Sequence, residues 1–287
     1  MSIFIQGIVA KDKTYTNVRD ENHPPLKTAR NLCEKLWLNF EPFSDDDFKV
    51  EIANDFDARF WEMDLTCFFM EQEFDLSSAN HGPDISLTKG NAKYYIEAVC
   101  PQDGIKQNKI PEIRANKGVQ KLPDDEITLR LTSAISTKHR AYNGYLKDKI
   151  VNHDDYLIIA INSCQLDGAH IDFPTPRIVR SLYPIGHQVL KRNPTTGEME
   201  ESIEYSDSLT NANGSPIHTD IFFRDEYKNI SAVLYAHYDC CNYIRSYTLI
   251  HNPLATNKLE LGTFPVKREY YVSDLSDDGY NLMCCNA

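Results

Sequence analysis

The sequence predicts a mixed α/β protein in which helices pack on a mixed sheet. Three observations carry this. Apolar residues recur at helical spacing in two early segments and one long later one. The period switches to two between them, and a fully apolar run, Tyr156-Leu-Ile-Ile-Ala-Ile161, follows the long helix. Helix, strand, strand, long helix, buried strand is the order of a sheet with helices on its faces.

The first helix is expected over 26–38, where Ala29, Leu32, Cys33, Leu36 and Trp37 share one face. A second is expected over 57–73, with Phe56, Phe60, Met63, Cys67, Met70 and Phe74 in one stripe and Asp55 or Asp57 as cap. Strands follow at 84–88 and 94–100, joined as a hairpin across Lys89-Gly90-Asn91. The polar, basic loop 102–123 is longer than most connections, which makes it functional or mobile. Asp124 or Asp125 is expected to cap a long helix reaching Lys149, and the apolar run at 157–162 forms the next strand.

From Asp167 onward strands and loops dominate. A hairpin is expected where 188–192 and 199–205 flank Asn193-Pro-Thr-Thr-Gly197, with further strands at 231–238 and 247–250. The tail after Tyr271 carries Asp274, Asp277 and Asp278 and is expected to be loose. With no repeat and no long linker, the chain reads as one continuous domain. Its parts are a helical and strand extension at 1–55, a core at 56–165 and a strand-rich C-terminal part at 166–287. That last part could complete the sheet, form a homodimer surface or set substrate choice.

Composition excludes several classes. No apolar run approaches the roughly 20 residues of a membrane span, so no membrane partner is expected. The first nine residues lack a basic segment and are interrupted by Gln6 and Gly7, which argues against a secretory signal. None of the eight cysteines forms a Cys-x-x-Cys pair, so they read as reduced thiols of a cytoplasmic protein rather than as a zinc site. Thirty basic against 42 acidic residues give −12, which opposes nonspecific adhesion to nucleic acid. Residues 102–149 reverse the sign, with ten basic and six acidic side chains. Such a strip suits an anionic partner, or is simply a solvated face.

One passage carries chemistry: His81-Gly82-Pro83-Asp84, followed at thirteen residues by Glu97 in the apolar strand Tyr94-Tyr-Ile-Glu-Ala-Val-Cys100. Strand alternation sets Glu97 on one face with Tyr95 and Val99, and Ile96 and Ala98 on the other. A carboxylate there is costly to bury unless it is paired, protonated or bound to a cation. Two carboxylates on adjacent strands can hold one Mg²⁺ and leave positions for water and phosphate. Such a metal generates a nucleophile for phosphodiester hydrolysis.

These residues resemble the PD-(D/E)XK nuclease superfamily. The resemblance rests on Pro83-Asp84 on one strand and Glu97 on the next. A helix containing Ala58-Arg-Phe-Trp-Glu-Met63 precedes them, and a helix and an apolar strand follow. It covers 56–162, a little over a third of the chain, and implies a restriction-endonuclease-like core of a mixed sheet flanked by helices. It further implies Mg²⁺ or Mn²⁺ held by Asp84 and Glu97, with Val99 supplying a backbone carbonyl, and a nucleic-acid substrate, DNA ahead of RNA.

The chain departs from the family at one place. The family's lysine stands two residues after the acid, where this sequence has Val99. Related families move it to the following helix. There Ile127, Leu131, Ala134, Ile135, Tyr142, Tyr145 and Leu146 define one face, and Lys138 sits near its centre. An inward Lys138 would satisfy Glu97 and Asp84 together; the alternative is a lysine that snorkels to solvent. The resemblance also implies an acid from the first core helix, Glu62, unless that residue faces water. Lys106, Lys109, Arg114, Lys117 and Arg130 are the candidate phosphate contacts.

Two rivals stand beside the nuclease. One is a nuclease-like binding module that has lost cleavage, favoured by Val99 and the acidic net charge. The other is Cys-His hydrolysis by Cys240 or Cys241 with His237 or His251, for which packing in apolar strands is the simpler account.

Overall fold

The structure, a computed structural model, describes residues 2–21, 23–77, 82–105, 109–114, 118–276 and 279–286. Its centre is an eight-stranded mixed sheet in the order β1-β2-β3-β4-β9-β10-β11-β12. These strands are β1 (Asp75–Ser77), β2 (Ile85–Lys89), β3 (Ala92–Val99), β4 (Tyr156–Asn162), β9 (Ile230–Ala236), β10 (Thr248–His251), β11 (Arg268–Ser276) and β12 (Gly279–Asn286). β3, β4 and β9 run parallel, as do β10 and β11; the other neighbours are antiparallel. Two small hairpins, β5 (Gln188–Arg192) with β6 (Met199–Ile203) and β7 (Ser208–Thr210) with β8 (Pro216–His218), stand apart from it.

Helices cover both faces. On one lie α1 (Lys13–Asp20), α2 (Pro24–Phe40), α3 (Phe48–Glu51) and α4 (Phe56–Glu71); on the other lie α5 (Asp124–Lys147) and the short α6 (Arg177–Arg180). The continuous apolar run of β4 reflects this sandwiching. Ile158 and Ala160 enter the core under α4, while Leu157, Ile159 and Ile161 enter the core under α5. A strand buried on both faces has no reason to alternate in polarity. The parallel neighbours β3 and β4 need a long crossover, and α5 supplies it. Gly90, at φ +62°, makes the tight β2–β3 turn.

Several expectations need correction. α1, α3 and β1 were not anticipated. α4 is buried nearly all round rather than along one stripe, with Trp61, Asp64, Leu65, Phe68 and Phe69 also enclosed. Trp61 Nε1 donates to the Ala160 carbonyl at 3.1 Å, which ties this helix to β4. Neither α4 nor α5 is capped by the side chain at its own N-cap position; the first N–H of α4, at Phe56, goes to Asp12 Oδ2 at 3.0 Å. Asp55 precedes α4 without a capping bond, and Pro123 stands at the start of α5. Asp124 is drawn instead to Arg177 at 2.6 Å and Arg180 at 2.8 Å, because two buried guanidiniums need a carboxylate more than a helix end does. The acidic tail is not loose: β11 and β12 pair as a hairpin, and β11 joins the main sheet beside β10. Asp277 and Asp278 lie outside the described residues. Among the described residues no helix is long and apolar enough to cross a membrane.

Candidate active site

Hairpin register creates the site. Ile85 pairs with Ile96, so Asp84, one residue before β2, comes opposite Glu97 on β3. Asp84 Oδ2 accepts from the Ala98 backbone N–H at 2.7 Å, which fixes the carboxylate at the strand end. Tyr95 and Val99 pack in the core under α5, while Ile96 lies in the core under α4. Glu97 therefore faces α5, as strand alternation requires.

From α5, Lys138 reaches back to both acids. Its Nζ lies 2.7 Å from Asp84 Oδ2 and 2.8 Å from Glu97 Oε2. The lysine side chain is 21% exposed and Glu97 only 1%, so this is an inward lysine and not a snorkelling one. Burial alone would favour the neutral amine. Asp84 and Glu97 outweigh it and hold Lys138 above the usual lysine range. Burial pushes Glu97 up to about 7, with Lys138 pulling against it and Asp84 adding to it. Glu97 Oε1 is buried and has no hydrogen-bond partner among the described residues.

Glu62 approaches from the opposite layer, on α4. Its Oε2 meets Arg59 Nη1 at 2.6 Å, and Arg59 also reaches Glu51 at 3.2 Å. Burial raises Glu62 to about 7; Arg59 opposes this and the charge of Asp84 reinforces it. Glu62 and Asp84 thus share an electrostatic neighbourhood, although no hydrogen bond joins them among the described contacts. Val99 stands two residues beyond Glu97 on the same face, beside Ile161 of β4. A cavity of about 170 Å³ lined by Gly82, Pro83, Ser86, Tyr95 and Ile150 flanks the acids.

The basic residues do not converge in the same way. Arg130 Nε donates to the Gln102 carbonyl at 2.7 Å, and Arg114 pairs with Glu112 at 2.8 Å. The first ties the loop 102–123 to α5 at Gln102, whereas the exposed Arg114–Glu112 pair lies within that loop. Its buried Ile110 and the bond from Ile113 N–H to Asp167 at 2.6 Å anchor it further. Lys109 is exposed, while His81, Lys106 and Lys117 lie outside the described residues.

No family model, curated protein or solved structure matches the chain. Its chemistry must be read from the site itself.

The Cys-His arrangement does not form. His251 is buried against Glu269 at 2.9 Å, and His237 Nδ1 bonds Ser163 Oγ at 3.0 Å. The Cys240 and Cys241 thiols are both pushed up, Cys241 to about 12, which keeps them from acting as thiolate nucleophiles.

Sequence reasoning missed two neighbours of the acids. Arg59 could have been found three residues before Glu62 on the same helix face. Tyr145, two turns after Lys138, feels the charges of Glu97, Asp84 and Lys138, although its place in the sequence marks it only as part of the apolar stripe.

Proposed function

We propose that this chain is a divalent-metal-dependent phosphodiesterase of the PD-(D/E)XK kind, with a restriction-endonuclease-like core, that cleaves DNA ahead of RNA. The observation that carries the reading is Lys138 Nζ shared between Asp84 and Glu97 while Glu97 Oε1 stays buried and unpartnered. A buried carboxylate oxygen without a donor is costly, and a hard cation would satisfy it.

The donor set fits such an ion, being all oxygen: the carboxylates of Asp84 and Glu97, with the Val99 carbonyl as a further ligand. Bound Mg²⁺ or Mn²⁺ supplies a nucleophilic water and polarises the phosphate. Asp84 is held in place by the Ala98 N–H, so it offers its carboxylate at a fixed point. Lys138, kept protonated, donates toward the attacking water or the developing charge on phosphate. Glu62, once freed from Arg59, extends the shell. Lys106, Lys109, Arg114, Lys117 and Arg130 belong to this reading as phosphate contacts, with Lys109 the most available of those described. The eight free cysteines fit a cytoplasmic setting, and the open edge of β12 is where a second copy would pair.

The second reading, a binding module without cleavage, is favoured by Val99 at the family's lysine position. Lys138 is the residue that turns the balance toward the enzyme. The deciding experiment incubates single- and double-stranded DNA and RNA with the protein and Mg²⁺ or Mn²⁺, using Asp84→Ala and Glu97→Ala as blanks. Metal-dependent cleavage lost in both variants is expected. Absence of cleavage together with absence of metal binding, even with an oligonucleotide present, would return the protein to the binding-module class.

A further inference from the structure

β4 and β9 are parallel neighbours whose chains part at their ends. Beyond β4 the chain turns to the α5 side, where Leu166, Ala169 and Ile178 join that core. Beyond β9 it turns to the α4 side, where Tyr238, Cys240 and Tyr247 join the other. Adjacent parallel strands that send their connections to opposite faces leave a crevice at their carboxyl ends. Asn162 stitches the two connections at their root. Its Nδ2 donates to the Tyr238 carbonyl at 2.8 Å, and its Oδ1 accepts from the N–H groups of Cys164 at 3.2 Å and Tyr238 at 3.3 Å. The crevice holds a cavity of about 650 Å³ lined by residues of both connections, a size that suits a small organic group.

The lining selects among ligands. Its described residues include Asp167 and Asp239 but no lysine or arginine, so a phosphate finds no counter-charge there. His170 and His237 present rings whose centroids lie 6.2 Å apart at 34°. His237 Nδ1 is taken by Ser163 Oγ at 3.0 Å, which leaves Nε2. Burial, with His170 adding to it, holds His237 below the usual histidine range, so the ring is neutral at pH 7. Asp167 uses Oδ2 for the Ile113 N–H at 2.6 Å, and Asn242 uses Nδ2 for Asp239 at 3.2 Å, which leaves each an acceptor oxygen. Flat imidazole faces beside acceptors and a ring nitrogen meet the needs of a heterocyclic base, which stacks and pairs its amino and ring N–H groups.

The crevice also adjoins the basic loop. Asp167, besides accepting from Ile113, donates its own N–H to Asp103 Oδ1 at 3.0 Å. Both partners belong to the segment 102–123, where Lys109 stands exposed. We infer that the crevice is a base-binding pocket, which takes one unpaired nucleobase of a strand whose backbone follows the 102–123 loop. A paired base must first leave its stack, so the substrate class is single-stranded or locally opened nucleic acid. The inference rests on the nucleic-acid partner of the reading above and not on its cleavage step.

The test compares two short oligodeoxynucleotides of equal length and phosphate count, one with all its bases and one wholly abasic. Their binding to the full chain is followed by fluorescence anisotropy without divalent metal. The intact strand is expected to bind about tenfold more tightly. His170→Ala and Asn242→Ala change exposed side chains, and circular dichroism would verify their fold. Each should bring the intact strand toward the abasic level while leaving the abasic strand unaffected. Equal binding of the two strands, absence of binding by both, or a preference undiminished in both variants overturns the pocket. So does a loss of equal size on a blunt duplex of the same sequence. Metal-dependent cleavage that needs Asp84, found together with equal binding of the two strands, removes the pocket and keeps the nuclease reading. A base preference lost in the variants of a protein that never cleaves does the reverse.

Discussion

Lys138 occupies the point between two carboxylates where a cation would otherwise sit. A divalent ion and this ammonium therefore draw on the same oxygens. Lys138→Met is expected to bind Mn²⁺ more tightly than wild type by calorimetry, while turnover falls by about 100-fold or more. Tighter binding with undiminished turnover would remove Lys138 from the reaction. Three buried acids, two of them near Lys138 and Asp84 and the third, Asp57, beside Gln165, also make a statement about pH. Asp57 is raised to about 6 by burial, and Glu62 and Glu97 to about 7. Carboxyls raised above their unfolded values hold more protons folded than unfolded. The metal-free protein should then be most stable below about pH 4 to 5 as far as these groups decide, losing that contribution as pH rises toward 7. Urea midpoints at pH 5.0 and 7.5 would show the fall, and Glu62→Gln or Asp57→Asn should flatten it. At this scale the site was largely legible. The facing of Glu97 follows from period two, and the inward Lys138 from its place in a helical stripe. The unpartnered Oε1 of Glu97 and the Ala98 bond to Asp84 were not, because they depend on strand register and rotamer.

Besides its apolar burial, α4 carries one fully buried carboxylate. Asp64 is fully buried and receives the hydroxyls of Tyr238, Tyr243 at 2.7 Å and Tyr247 at 3.2 Å, with Arg245 Nη2 at 2.8 Å. Arg245 also reaches Glu71 at 2.6 Å. Four donors on one acid join the helix to the connection between β9 and β10. Asp64→Ala should cost about 3–5 kcal/mol, since it strands a partly buried guanidinium. Tyr243→Phe should cost about 1 kcal/mol. Equal midpoints for Asp64→Ala and wild type in chemical denaturation would contradict this account. Nothing in the local sequence announces the cluster. Asp64 falls in an apolar helix and reads there as a polar interruption, because its partners stand more than 170 positions away. The hairpin β11–β12 escaped for the opposite reason: its exposed edge carries acids that imitate an unstructured tail.

Over the whole molecule, the sheet was legible where burial forces pattern, at β2, β3, β4 and β9, and illegible where strands lie at an edge. On the proposed reading, the net charge of −12 and the carboxylates gathered around Lys138 would draw divalent ions to the folded protein. Millimolar Mn²⁺ should raise the melting temperature by several degrees through preferential binding to the folded state. That rise should vanish in the Asp84→Ala, Glu97→Ala double variant. A gain that persists there would place the stabilising ion elsewhere.

The two acid clusters differ most in how far apart along the chain their members lie. Asp84, Glu97 and Lys138 are gathered within a stretch whose ends are 54 residues apart, spanning one hairpin and one crossover. The Asp64 cluster closes loops of 174 to 183 residues. Loop closure costs more entropy as the loop lengthens. During folding, the carboxylate pair and its lysine should accordingly assemble first, on the nascent β2–β3–α5 unit. The tyrosines and Arg245 then close over Asp64 as the final latch, and mutations there should speed unfolding far more than they slow folding.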